Sequence, residues 1–227
     1  PDIDTSLYAT LGTVTQKAGY QTAFFGKFGV GGQFELEKNF KNRVFGPNQI
    51  GFNYAFELPS GIQGSPFAYY ENNQWMPLRE NSDIIKLDGS QTQVNRKKLL
   101  RGDSNWGPAL AGKMLSRKFN SYVEQYSKSS SKPLFIYYAS QAIHGLHAPA
   151  DSIGSQPFTN RTGNRKLDMI IELDLQLGNI IAQLKKKGLY NNTFLIFTSD
   201  NGGLDENNLL QHDPSNGYRG RKGLVYE

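Results

Sequence analysis

The stretch from residue 167 to residue 203, LDMIIELDLQLGNIIAQLKKKGLYNNTFLIFTSDNGG, runs through three patterns in succession. Leu167, Ile170, Leu173, Leu177, Ile180, Ile181 and Leu184 recur at helical spacing, which predicts an amphipathic helix. Lys185, Lys186 and Lys187 suit the negative C-terminal end of that helix, and Gly188 suits the left-handed cap. Asn191-Asn192 turns the chain, and Phe194-Leu195-Ile196-Phe197 predicts a short buried strand. The strand runs into Ser199-Asp200-Asn201 and two glycines. The unit is therefore helix, strand, polar tip.

The same order occurs twice more upstream. In residues 5 to 27, Leu7, Leu11, Val14 and Ala18 fall at helical spacing and Gly19 can cap. Thr22-Ala23-Phe24-Phe25 then predicts a buried strand ending in Gly26-Lys27. In residues 108 to 147, Pro108 suits a first helical turn. Leu110, Met114, Tyr122 and Tyr126 line one side of that helix, with Leu115, Phe119 and Val123 beside them. Residues 127 to 132 form a polar loop, Leu134 to Tyr138 a strand, and the segment from Gln141 to His147 carries His144.

Helices alternating with apolar strands predict an α/β fold with a largely parallel sheet flanked by helices. Ligands in such sheets bind beyond the carboxyl ends of the strands. Lys27, His144 and Asp200-Asn201 all follow strand ends, so parallel strands would gather them on one edge. Residues 28 to 106 lack a long helical period and are rich in Gly, Asn, Pro and aromatics. They read as loops and short strands over the sheet edge, a loop-rich segment facing substrate. The run Pro66-Phe67-Ala68-Tyr69-Tyr70 fits a packed edge strand or a pocket wall. Residues 204 to 216 read as a further exposed loop.

Composition bounds the rest. With 37% hydrophobic and 12% aromatic residues, 227 residues can bury a sizeable core. The net charge of +5 is mild, and basic runs such as Arg96-Lys97-Lys98 read as solvated faces. No aromatic-basic interleaving points to nucleic acid. The absence of cysteine excludes disulfides, thiolate zinc sites and a thiol nucleophile within these residues. The longest apolar stretch, Leu134 to Ile143, is too short to span a bilayer. Nothing in the sequence marks an oligomeric state.

The candidate groups suggest a chemistry. Asp200 and Asn201 offer a carboxylate and an amide oxygen, donors that hard cations prefer, although the same letters also make an ordinary turn. Lys27 and Lys222 are point charges suited to an oxyanion, and Lys222 sits among glycines in Arg219-Gly220-Arg221-Lys222-Gly223. His144 can donate to an anion or act as an acid. A cation and cationic side chains together would bind a tetrahedral anion and stabilise its transfer, which points to hydrolysis of a sulfate or phosphate ester.

Four stretches resemble the sulfatase family, within the alkaline phosphatase-like superfamily. They are LGTVTQKAGYQTAFFGK from Leu11, PLFIYYASQAIHGLHAP from Pro133, the helix-strand segment from Leu167, and RGRKGLVYE from Arg219. The resemblance spans nearly the whole chain in one order. It implies an alkaline phosphatase-like sandwich, with residues 1–227 forming part of one arylsulfatase-type catalytic domain. Asp200 and Asn201 would be ligands of calcium, with magnesium as the alternative. Lys27, His144 and Lys222 would hold the sulfate ester and take part in catalysis. His147 lies on the His144 loop, and no motif position gives it a role.

Two departures from the family pattern stand out. The family's Gly-Lys-Trp-His-Leu-Gly reads Gly26-Lys27-Phe28-Gly29-Val30-Gly31 here, so the usual histidine is Gly29. The family's nucleophile is a formylglycine made from Cys or Ser in a Cys/Ser-x-Pro/Ala-x-Arg motif, and neither that motif nor the paired aspartates of the metal site occurs in these residues. Both belong upstream of the region matched by Pro1, so the expectation is an internal fragment with no sulfatase turnover by itself. The resemblance implies a sulfate ester substrate, a sulfated carbohydrate being one class within the family's breadth, and a periplasmic or secreted location. Two other readings stay open: a phosphoesterase or phosphonate monoester hydrolase of the same superfamily, and an inactive relative that binds sulfated glycans. Asn160-Arg161-Thr162 and Asn191-Asn192-Thr193 are glycosylation sequons, triplets that also arise by chance.

Overall fold

In the computed structural model, residues 3–94, 100–158, 160–203 and 213–224 are described. The basic run at 96–98 and most of the loop expected over 204–216 lie outside them. The chain forms two compact units, residues 1–190 and residues 191–227.

In chain order the first unit contains α1 (Leu11–Lys17), β1 (Gln21–Lys27), β2 (Gln33–Phe34), β3 (Arg43–Phe45), β4 (Tyr54–Leu58), β5 (Tyr69–Glu71), β6 (Gln74–Met76), β7 (Ile84–Leu87), α2 (Gly89–Thr92), β8 (Leu100–Asp103), α3 (Ala111–Ser129), β9 (Leu134–Ala139), β10 (Ser152–Ile153), β11 (Gln156–Pro157) and α4 (Arg165–Lys186). The main sheet runs β6-β5-β4-β1-β9. Strands β4, β1 and β9 are parallel, and β5 and β6 are added antiparallel at one side. The expected parallel α/β sheet is present, with an antiparallel edge built from the segment read as loop-rich.

Strand β1 is buried on both faces, as a central parallel strand requires. Alternate side chains divide between two cores. Ala23 and Phe25 join Phe56, Leu58 and the α3 residues Leu115, Phe119 and Val123. Phe24 joins Phe28, Ile50, Phe52 and Ala55 on the opposite face. Gly26 admits its neighbour closely: its φ is +107°, and a β-carbon there would fall 1.9 Å from the Ala139 carbonyl oxygen of β9. The Phe67 to Tyr70 run is packed inside.

The helices differ from expectation in detail. Thr10 caps α1 through a capping box with Thr13, so the helix begins at Leu11 and excludes Leu7. Leu7, Leu11 and Val14 are exposed. Helix α3 extends to Ser129, into the segment expected as a loop. Helix α4 covers its predicted span, capped by Asn164, with Gly188 at φ +69° beyond its end. Its apolar stripe Leu167, Ile170, Leu173 and Leu177 is only half-buried. The deepest face carries Asp168, Met169, Glu172 and Gln176 instead. Met169, Ile171 and Leu175 lie off the predicted stripe, and Ile171 and Leu175 pack against Ala150, Ile153 and Phe158. Because Met169, Ile171 and Leu175 widen the apolar surface of α4 beyond the predicted stripe, periodicity alone does not choose its buried side.

The strand expected over Phe194–Phe197 does not form. These residues carry no ladder and are exposed, Phe194 by 90%. Extended backbone needs a neighbouring strand to satisfy its amides, and four apolar residues without one hold no strand. No helix among the described residues is long and apolar enough to cross a membrane.

Candidate active site

Lys27 is the last residue of β1, and its neighbour Gly26 is in register with Ala139, the last residue of β9. The parallel pairing therefore brings Lys27 and the segment that begins at Ser140 to the same carboxyl edge. His144 lies on that segment, its amide donating to the Gln141 carbonyl at 2.9 Å and its Nδ1 set against the Gly145 carbonyl. His147 is on the same loop. Two of the predicted groups thus share one strand-end edge for the predicted reason.

The backbone after Lys27 keeps pairing with the end of β4: Phe28 N–H donates to Leu58 O at 3.1 Å and Gly29 N–H to Pro59 O at 3.0 Å. This holds the Lys27 side chain between two glycines in the left-handed region. Gly29 has φ +70°, and a β-carbon there would lie 3.4 Å from Lys27 Cε. Gly61 has φ +65°, and one there would lie 3.1 Å from Lys27 Cδ. The residue standing where the family has histidine is therefore a glycine whose conformation favours glycine.

A cavity of about 570 Å³ opens beside Lys27, bounded by Gly29, Gly32, Phe34, Arg43, Ser60 and Gln63 among others. Arg43 is buried, with Nε 3.0 Å from Glu57 Oε1 and the guanidinium over the Phe34 ring at 4.6 Å. Burial pushes the Glu57 carboxyl up to about 7, against the opposing pull of Arg43. A β-carbon on Gly32 would fall 2.5 Å from Arg43 Nη2, so the loop after Lys27 rests directly on this pair. Sequence reading missed Arg43, because its partner lies on another strand and nothing local marks it.

A second buried group stands behind the His144 loop. Glu172 of α4 accepts from Ala150 N–H at 2.9 Å and from Gln176 Nε2 at 3.0 Å. Gln176 Oε1 accepts from Tyr138 Oη at 2.9 Å and Ser140 Oγ at 3.2 Å. Burial raises the Glu172 carboxyl to about 7, with the Ala150 and Gln176 bonds pulling it down.

Asp200, Asn201 and Lys222 belong to the second unit and are described within it. Ser199 Oγ donates to Asn201 O at 2.7 Å, and Asn201 Nδ2 donates to Gly202 O at 2.9 Å. Lys222 N–H donates to Gly203 O at 2.9 Å, and a β-carbon on Gly202 would lie 3.2 Å from Arg221 Cα. This unit therefore sets Arg221-Lys222 against the Asp-Asn-Gly-Gly turn. Among the described residues no cluster of three or more metal-ligating His, Cys, Asp or Glu occurs.

A family model described as Sulfatase matches residues 4–222. An N-acetylgalactosamine-6-O-sulfatase of Bacteroides thetaiotaomicron is 27% identical over 266 residues, covering 99% of this chain and 50% of its own length. The N-acetylgalactosamine-6-sulfatase of Mus musculus is 26% identical over 191 residues, covering 82% of this chain and 31% of its own. The chain thus spans half or less of the length of these curated relatives. Among solved structures, a sulfatase from work on glycosaminoglycan metabolism by Bacteroides thetaiotaomicron superposes with a TM-score of 0.78 at 24% identity, over 99% of this chain and 53% of that one. The PsFucS1 sulfatase of a Pseudoalteromonas species superposes with a TM-score of 0.55 at 23% identity, over 86% of this chain and 38% of that one. These likenesses show the fold.

Proposed function

The chain belongs to the sulfatase family, and on that premise we propose that it forms the sulfate-holding part of an enzyme that hydrolyses sulfate esters of sugars. The observation that carries the reading is the shared strand-end edge of Lys27 and the His144 loop, fixed by the parallel register of β1 and β9. Lys27 offsets the negative charge of the sulfate oxygens, and His144 donates to one of them. The cavity beside Lys27 receives the sugar.

Asp200 and Asn201 suit a hard cation. Both offer oxygen, and the Asn201 amide nitrogen is engaged by the Gly202 carbonyl, which leaves the amide oxygen for a metal. Asp200 and Asn201 would hold calcium, or magnesium, and an ion held there would supply positive charge. A calcium shell of about six to eight oxygens needs donors beyond these two. The family's formylglycine nucleophile has no precursor motif in these residues, so in this reading it comes from sequence outside them. The contribution of this chain is to bind and orient the ester.

Relatives named for N-acetylgalactosamine 6-sulfate supply the first substrate to try. The test measures sulfate release from that sugar by the protein in its complete reading frame, beside an aryl sulfate and an aryl phosphate. Sulfate release is expected, and Lys27→Ala or His144→Ala should each lower kcat by about 10²- to 10³-fold. Preference for the phosphate would move the protein to the phosphoesterases. Turnover indifferent to both substitutions would sink the assignment of the site.

A further inference from the structure

Glu172 is 1% exposed, sits within α4, and is linked to both ends of the segment that carries His144, to one directly and to the other through Gln176. One carboxylate oxygen takes the amide of Ala150, where the segment leaves the strand edge. The other takes the Gln176 amide, whose oxygen gathers Tyr138 Oη and Ser140 Oγ, where the segment begins. Ser140 Oγ in turn accepts the Ala142 amide at 3.2 Å. A continuous chain therefore links the acid to the backbone two residues before His144. Helix α3 presents Gly112 to the carboxylate, leaving it room. Among the described residues, Tyr138 of β9 and Tyr69 of β5 feel its charge: burial raises both hydroxyls, and the Glu172 charge raises them further.

We propose that Glu172 is a positioning residue for the His144 loop, holding Ala150 directly and the Ser140–Ala142 end through Gln176. The role as a positioning residue rests on the sulfatase reading; the hydrogen-bond chain does not. When the carboxyl takes a proton from solvent, its O–H must donate. Rotating the Gln176 amide by half a turn lets the amide oxygen accept that proton and turns its nitrogen toward Tyr138 and Ser140, whose oxygens can accept. The direction of every bond from Glu172 to Ser140 reverses, and the Ser140 hydroxyl hydrogen is released toward the loop. The ionised form instead keeps both hydroxyls donating inward, the pattern the structure shows. A buried chain of this kind responds as a unit.

The test needs no substrate. Amide resonances of Ala142 and Ala150 are followed by NMR from acid to mildly alkaline pH. One common midpoint is expected, near the raised carboxyl value of about 7. Histidine imidazoles titrate in the same range, so the comparison is with Glu172→Gln. That variant should lose both amide responses while the imidazole titrations persist. Separate midpoints, or responses that survive in Glu172→Gln, would overturn the proposal. Should Glu172→Gln fail to fold, Gln176→Met decides: the Ala150 response should remain and the Ala142 response vanish, and retention of both rejects the chain. If the amides behave as expected and no sulfate ester is hydrolysed, the sulfatase reading fails alone.

Discussion

Gly112 on α3 and Glu172 on α4 compete for one space: a β-carbon on the glycine would fall 1.9 Å from Glu172 Oε1 and 2.8 Å from Gln176 Nε2. In an ordinary helix interior, glycine to alanine gains about 1 kcal/mol. Here Gly112→Ala should instead destabilise by about 1–3 kcal/mol, the cost of overpacking a tight site. Combining it with Glu172→Ala vacates the space, so the two losses should not add. Urea midpoints of the single and double variants measure both effects.

The same carboxyl sets a pH dependence. Burial raises Glu172 from 4.5 to about 7. A raised acid contributes its stability in full below 4.5 and loses it as pH climbs through 7. Across that window the loss approaches about 3 kcal/mol. Denaturant unfolding at pH 4.5, 6 and 8 should show the decline, and Glu172→Gln should flatten it. An unchanged slope in that variant would exclude Glu172 as the source.

The Arg43–Glu57 pair predicts an asymmetry. Removing one partner of a buried ion pair costs about 3–5 kcal/mol, whereas replacing both with apolar residues is close to neutral. Arg43→Met removes the pull that holds the Glu57 carboxyl down to about 7, so the remaining acid neutralises at a higher pH still, and its penalty should be smaller at pH 5 than at pH 8. Glu57→Leu leaves a guanidinium that cannot neutralise, and its penalty should not shrink. Thermal unfolding of the two single variants and the double at pH 5 and pH 8 tests this.

Gly29 stands where the family has histidine. Its φ of +70° makes any side chain cost roughly 1–2 kcal/mol. Gly29→His should therefore lower the melting temperature, and Gly29→Ala should lower it by a similar amount, because the strain lies in the backbone. A histidine variant as stable as the parent would show that the loop relaxes.

Strands β1 and β9 were legible as apolar runs that stop at polar residues, and with them the placement of Lys27 and His144. The span of α4 was legible from its period and its caps. Its buried face was not, because Met169, Ile171 and Leu175 blur the stripe, and the choice was made by distant groups: a glycine on α3 and the amide of Ala150. Phe194–Phe197 has strand propensity but no ladder, which only a neighbour could supply. Arg43 and Glu57 meet across separate strands, a relation no local pattern encodes. Asp200, Asn201 and Lys222 lie in the second unit, where the Lys222 amide donates to the Gly203 carbonyl beside the Asp200-Asn201 turn.

The placement of β1 also orders how the chain can assemble. Ala23 pairs with Tyr54 on one side and Ile136 on the other. The second pairing closes a loop more than three times as long as the first. Closing the longer loop adds only about 1 kcal/mol of chain entropy, yet contacts distant in sequence slow folding. During synthesis β1 and β4 can meet while β9 is still to be made, leaving one side of β1 an open edge. That interval, rather than the finished molecule, is when this sheet is most exposed to pairing with the wrong strand.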